Sequence, residues 1–493
     1  MTALRAMTRF GLGPTATDRA AIAADPRGWV LGQVGDPAPN GAPASTLEAM
    51  RISERAVAER RSRLRDAARS GEGAMGDTAM NDGAMNDGAM NAMASPEAAM
   101  TGAAMGRPER RARTGLPTVR AHQREVQVNE LVAAAETASP FAERWVRHWC
   151  NHFTVRGRGP LGGVLTAPFR AEAIEPRAWG SFEELVGAAA LHPAMLVDLD
   201  NRASVGPNSP LGRRRGRGAN ENLAREVMEL HTLGADGGYT QADVSAFALA
   251  LTGHNLLSVL RRVDGEMVDR GERGGRASFN RRAHEPGPRT VLGQRFAEDD
   301  GTGSQARAIL AHLARHPATA RNVGQRVARH FHSPGPGRNA LAADLEAAFL
   351  ETNGDLTALA ESLVRHDAPW GDEPVLTVPR EHAIAWLRLL PRAAPPRRVA
   401  GALRRMGQPL GSAPSPEGWP EAEEWGAPGG LKTRLDLAAE LAERAARRYD
   451  PLEVAAAAIG DDLSDETRTA LLRAASPAQG LALLAMSPEV MLR

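Results

Sequence analysis

Cysteine is almost missing from this chain of 493 residues; Cys150 stands alone, which rules out an intramolecular disulfide. Lysine is as scarce. Lys432 is the single one, so the basic count of 60 is nearly all arginine, and 59 acidic residues offset it. A formal charge of +1 gives no electrostatic footprint for nucleic acid or an anionic membrane. With two tyrosines, stacking platforms for single strands are few as well. No apolar run reaches the roughly eighteen residues that a membrane helix needs. Met1 to Gly13 holds no apolar signal core, so on its own account the chain is expected in the cytoplasm. There is no GxGxxG after a strand, no phosphate-binding loop, no GxSxG and no HExxH.

What is present is a helical pattern. Hydrophobic residues make up 42%, enough for a packed core. Apolar residues recur at helical spacing through most of the chain, proline and glycine punctuate the gaps, and no βαβ alternation occurs. The expectation is a mostly α, multi-helix single large domain with few short strands and one disordered low-complexity insertion. Its parts are an N-terminal helical part over 1–69, the insertion over 70–112, a central helical region over 113–300 and a C-terminal helical region over 301–493. Residues 266–269 and 277–280 are expected to form a small hairpin, and 202–218 a mobile loop with Arg213, Arg214, Arg215 and Arg217 solvated in it. In the insertion, methionine recurs every five residues at 75, 80, 85 and 90 in an Ala-Met-Asn-Asp-Gly pattern. Thioethers suit Cu(I), but Gly, Asn and Asp every few residues oppose a helix, and expansion of a short repeat is the reading the composition favours.

Two stretches carry chemistry. In Phe141 to Phe153, His148 and His152 stand four apart on one helical face beside Trp145, Trp149 and Phe153. That spacing lets two imidazoles bind one metal, and a pair packed in an aromatic core would share it. In Ala219 to Val244, Leu223, Val227, Leu230 and Leu233 mark an amphipathic helix with Asn220 as N-cap and Gly234 as its end. Asn222, Glu226 and Glu229 share one face, with His231 at the end of the helix. Carboxylates and imidazole converging on helices are what metal or acid/base sites need. A solvated face laced with Glu–Arg pairs looks the same, each pair worth about 0.2–0.5 kcal/mol.

The chain resembles a bacterial family catalogued as "domain of unknown function 1800". The likeness begins at Arg9-Phe10-Gly11 and continues through Trp145 to Phe153, Phe182 to Val186, His192 to Met195 and Leu199-Asp200-Asn201. It takes in Asn220 to Gln241, Leu251-Thr252-Gly253, His284 with Leu292-Gly293, His316 to Arg321 and Met406 to Pro409. It ends with Gly418-Trp419-Pro420 and Ser487 to Arg493. Only about 40–115 and 202–217 stand outside it. The resemblance implies an all-α fold and no established activity. It also implies a possible genomic partner, a sulfatase-like protein of the family "domain of unknown function 1501", with a periplasmic or secreted location if that partner carries the chain. At 285 the chain has Glu where much of the family is expected to have Asp.

Three functional readings remain. In the first, the protein is a metal-dependent enzyme, oxidative or hydrolytic. His148, His152, Glu226, His231 and His284 are its candidate ligands for a divalent ion (Zn, Mn or Fe), and Glu226 and Glu229 its candidate bases. In the second, Asn222, Arg225 and Glu226 form a buried network that only fixes helix packing. In the third, the chain is a non-enzymatic helical partner or export passenger of the sulfatase-like protein, for which an exposed apolar patch would speak.

Overall fold

The fold follows from where helices start. Among the described residues of the computed structural model (2–22, 24–38, 45–70, 117–216, 218–264, 266–393, 395–420 and 422–493), thirteen helices open on a proline. Proline has no N–H to leave unpaired in a first turn, and its φ is already helical. Side-chain caps supply the acceptors that such ends need. Ser181, Asp355, Ser464 and Ser476 each accept from a backbone N–H three residues on. Thr240 and Asp243 form a reciprocal capping box. His192 and His316, each followed by Pro-Ala, accept through Nδ1 from Ala194 and Ala318. These two histidine motifs are therefore helix caps.

The structure is mostly helical, as expected, with three two-stranded antiparallel ribbons. The expected hairpin divides into two. Strand β1 (His254–Leu256) pairs with β4 (Ala277–Phe279), whereas β2 (Leu260–Val263) pairs with β3 (Glu266–Asp269). The expected runs at 266–269 and 277–280 do form strands, but each pairs with an earlier strand rather than with the other. The third ribbon joins β5 (Arg289–Val291) to β6 (Gln294–Phe296) through Leu292 and Gly293, both at positive φ. Asp243 Oδ1 holds the Leu292 N–H at 2.7 Å and so ties this turn to the helix Gln241–Leu251. The loop expected over 202–218 contains a helix, Pro210–Arg215, capped by Ser209. The methionine-rich insertion lies outside the described residues from 71 onward.

Two hydrophobic clusters form. The larger runs from Ala6 to Trp370 and includes Trp145, Trp149, Phe182 and Phe331. The smaller gathers the helices after Pro379, with Leu12, Leu131 and Ala134 reaching over from the first part of the chain. The helices Pro317–Phe331 and Pro336–Glu351 pack closely enough that a Cβ on Gly324 would come within 2.8 Å of the Ala342 carbonyl oxygen. No described helix is long and apolar enough to cross a membrane.

Buried ion pairs join the two clusters. Arg144, on the helix Pro140–His152, meets Glu381, on Pro379–Leu389, at 2.7 Å. Arg388 meets Asp18 at 2.5 Å and also donates to the Ala135 and Thr137 carbonyls. Removing one partner of a buried pair leaves the other charge uncompensated, at about 3–5 kcal/mol. Asp18→Asn is expected to lower the urea-unfolding free energy by about that amount. Glu361→Gln, which breaks the exposed Glu361–Arg365 pair, is expected to cost less than about 1 kcal/mol. Equal effects would refute the buried pair as a structural tie.

Candidate functional site

The Pro140–His152 helix is buried for most of its length and presents two different faces. One carries Phe141, Trp145, His148, Trp149 and His152 into the larger core. Trp145 Nε1 donates to the Ala178 carbonyl at 2.8 Å and fixes that face. The other carries Glu143 and Arg147. Glu143 takes both terminal nitrogens of Arg170, at 3.1 and 2.7 Å, as well as Arg147 Nε.

On the inner face the imidazoles form a file. His330, near the end of the Pro317–Phe331 helix, lies 5.2 Å from His148 between ring centres. His148 lies 6.4 Å from His152, and His152 lies 6.2 Å from His231. Aromatic rings surround the file: Trp149 stands 5.0 Å from His148, and Phe153 4.6 Å from His152 and 5.2 Å from His231. His152 Nε2 lies 3.0 Å from the His231 carbonyl oxygen. A carbonyl can only accept, so the proton of His152 sits on Nε2 and Nδ1 keeps a lone pair. That Nδ1 has no hydrogen-bond partner, and neither have His148 Nε2, His330 Nε2 and both ring nitrogens of His231.

His231 enters this core through a local irregularity. The helix Asn222–Glu226 continues as a π-turn, Val227–His231, in which each carbonyl spans five residues. The wider turn shifts the phase of the face, so Met228 and His231 are buried while Leu230 is half-exposed. An unbroken α period counts Leu230 among the core positions.

Burial sets the charge of the file. Desolvation pushes His148 and His231 down to about 3, helped by the nearby Arg326 charge. His152 and His330 are held well below the ordinary histidine value by the same burial, and then by Arg326 for His152 and Arg493 for His330. All four are neutral at pH 7. Cys150, on the same helix, is pushed up to about 12 by burial, so its thiol is no nucleophile.

The remaining expected residues lie elsewhere. Glu226 is half-buried, and burial, then the neighbouring Glu229 charge, raises its carboxyl pKa; its other charged neighbours are Arg156, Arg225 and Asp198. Tyr239 Oη donates to Glu229 Oε2 at 3.5 Å. His284 bonds the Thr252 carbonyl through Nδ1 at 2.8 Å. Its ring stands 5.1 Å from Phe279, which lies 5.0 Å from His254. Phe279 thus contacts two further imidazoles. Glu285 accepts from the Asn208 backbone and side chain, at 2.8 and 2.7 Å, and so closes the 206–212 turn. Thus the structure brings together His148, His152 and His231, adds His330, and places Glu226, Glu229 and His284 in other surroundings. Among the described residues no group of three or more His, Cys, Asp or Glu side chains is arranged to hold a metal ion. His330 was missed by the sequence reading; the density of histidine in Arg329-His330-Phe331-His332 was the available signal.

Eight histidines are held below their ordinary value (148, 152, 231, 254, 312, 316, 330 and 382). For each, the unfolded state binds a proton that the folded state refuses. Stability is full above about pH 6.5 and falls as pH drops toward the folded values. The raised carboxyls of Glu130 and Glu226 act in the opposite sense but are fewer. Urea midpoints are therefore expected to fall steadily from pH 6.5 to 4.5. His382, at about 4 and bonded to the Ala485 carbonyl, offers a probe outside the file. His382→Gln is expected to flatten the slope, and an unchanged slope would refute the assignment.

A family model described as "Protein of unknown function (DUF1800)" matches residues 5–492 of the chain. No curated protein and no solved structure matches it.

Proposed function

We propose, for a chain that belongs to the DUF1800 family of proteins of unknown function, that it is a metal-dependent enzyme centred on the histidine file. The observation that carries this reading is the set of buried, neutral imidazoles with unpartnered nitrogens on His148, His152 and His231. Each unpaired buried nitrogen costs about 1–3 kcal/mol, and a cation accepting those lone pairs removes that cost. With metal–nitrogen bonds of about 2.0–2.1 Å, two imidazoles on one ion hold their ring centres about 5–6 Å apart. The file's spacings of 6.2 and 6.4 Å lie a few tenths of an ångström beyond that, within reach of small rotations about χ2. Neutral imidazole without carboxylate favours Zn or Fe over Mn. Such an ion supplies Lewis acidity or an activated water. His152 would ligate through Nδ1, with Nε2–H held by the His231 carbonyl as an outer support. The reading uses neither Glu226 and Glu229 as bases nor His284 as a ligand.

The test is metal content of the purified, untagged protein from Zn- and Fe-supplemented cultures, by mass spectrometry. About one ion per chain is expected, lost in His148→Ala/His152→Ala and kept in His284→Ala, with helical circular dichroism preserved in all. Metal-free wild-type protein would overturn the proposal, as would metal that survives the double substitution.

One observation favours a second reading, the docking of a partner chain such as the sulfatase-like protein. Leu431, Leu435, Leu452, Leu472 and Leu483, all in the C-terminal helices, are between 36 and 65% exposed. Exposed large apolar side chains mark interaction sites where they form a contiguous patch. Co-purification with that partner, abolished by Leu435→Ser/Leu472→Ser, is the result expected of it. Co-purification that is unaffected by the substitutions would count against this surface.

A further inference from the structure

The outward face of the Pro140–His152 helix borders a cavity of about 170 Å³. Its walls come from distant parts of the chain: Gln127 and Glu130, Arg147 to Thr154, Thr166 to Arg170, Val378 to Ile384, and the segment from Gln408 to Pro420. An apolar cavity of about 150 Å³ holds a benzene molecule, so the guest has about six to ten non-hydrogen atoms.

The segment over the cavity is clamped rather than loosely laid. Asn151 Oδ1 accepts from the Trp419 N–H at 2.8 Å, and Asn151 Nδ2 donates to the Trp419 carbonyl at 3.3 Å. Gly418 stands at φ 103°, where a Cβ would come within 2.7 Å of Asn151. Gln408 Oε1 accepts from the Arg380 N–H at 2.7 Å at the other end. Several segments that carry the family resemblance therefore meet at this one cavity: Arg147, Cys150 and Asn151, then Gln408, Trp419 and Pro420, then Arg493.

The polar part of the wall has an excess of cation. Arg147, Arg170, Arg380 and Arg493 line it, against Glu130 and Glu381. Most of these are already committed. Arg170 grips Glu143 and Glu175. Glu381 is shared between Arg144 at 2.7 Å and Arg493 Nε at 3.4 Å. Two arginines keep donors unspent. Arg380 makes no salt bridge among the described residues, and its Nε has no hydrogen-bond partner. Arg493 is 1% exposed, and its Nη1 has none either. Including Glu143, Glu175 and Arg144 behind the wall, five guanidiniums face four carboxylates. Burial moves one of those carboxyls, Glu130, toward its neutral form. Arg380, pushed down to about 10 by burial, remains charged at pH 7. The rest of the wall mixes polar side chains, among them Gln127, Thr154, Thr166 and His330, with an apolar part made by Leu131, Phe169, Ile384, Leu410 and Trp419.

The geometry points to a binding site for a small monocarboxylic acid with an apolar body. Its carboxylate accepts from the unspent donors of Arg380 and Arg493, and its body packs on Phe169, Ile384, Leu410 and Trp419. A monocarboxylate with an apolar body engages both parts of the wall, whereas inorganic phosphate leaves the apolar part without a partner. His330, at one end of the file, also lines this cavity, but no atom of His148, His152 or His231, the candidate metal ligands, lines it.

The test is calorimetric titration of the full chain after chelator treatment. The probes are benzoate, phenylacetate and isovalerate, with benzamide, benzylamine and inorganic phosphate as charge variants. Saturable binding of one of the three acids is expected, at least tenfold tighter than benzamide, with no binding of benzylamine. Arg380→Gln is expected to weaken the acid at least tenfold and to leave benzamide unchanged. Ile384→Trp, which fills the cavity, is expected to abolish both. The wild-type charge series decides the matter even if a variant fails to fold. Absence of saturable binding by all three acids, equal binding of benzamide, or tighter binding of phosphate would each overturn the inference. Acid binding retained by His148→Ala/His152→Ala would show that it stands apart from any metal at the file.

Discussion

The Glu143 carboxylate, buried and held by two arginines, is the constraint that gives the central helix its two characters. It is 0% exposed and keeps its charge against desolvation because Arg170 and Arg147 hold both of its oxygens. One residue along, Arg144 does the same for Glu381 across the boundary between the two hydrophobic clusters. A helix so fixed on its outer face cannot roll. Its inner face must therefore keep His148 and His152 in the core, whatever the cost of burying them. Removing one partner of such pairs strands a charge, so the ion-pair layer and the buried imidazoles are energetically coupled through a single rigid element.

The same layer explains why a cavity exists where the two clusters meet. Arginine and glutamate side chains are long and carry defined donor geometry, so they cannot interdigitate as aliphatic side chains do. Where Arg170 is wrapped by carboxylates the wall is dense. Where Arg380 finds no ion-pair partner among the described residues, space is left. The Gln408–Pro420 segment covers that space through backbone bonds to Asn151, and Gly418 is required because a side chain there would strike the amide that clamps it.

Much of this architecture was legible in the sequence, because helices declare themselves through period, proline and caps. His148 and His152 were readable as a pair because four-residue spacing survives in a regular helix. His231 was readable as a terminal polar residue, but its route into the core was not. A π-turn adds a residue to the period, and nothing in Val227 to His231 announces it. For the same reason Glu226 and Glu229 looked like neighbours of the imidazoles, whereas their surroundings are Arg156, Arg225, Asp198 and Tyr239. His330 lies almost two hundred residues from His148, and only tertiary packing joins them. The pairing of β1 with β4 across an intervening hairpin is non-local in the same way.

Several motifs of the family resemblance resolve into packing roles, and this sharpens the meaning of the rest. Arg9 donates to the Phe331 carbonyl at 2.9 Å, Phe10 lies 4.5 Å from Trp370 between ring centres, and the Gly11 carbonyl accepts from Arg144 at 2.7 Å. His192 and His316 cap helices. Leu292-Gly293 makes a turn. Apart from Arg9 Nε, their buried polar side-chain atoms are engaged. The histidine file and the Arg380–Arg493 wall differ: they hold buried nitrogens that no protein group satisfies. A fold that caps its helices this thoroughly elsewhere has the means to pair or replace such groups with apolar side chains, and replacement by well-packed apolar residues is often neutral or stabilising. Both sets of unpaired nitrogens border the Pro140–His152 helix, which the Glu143 and Arg144 ion pairs fix in place.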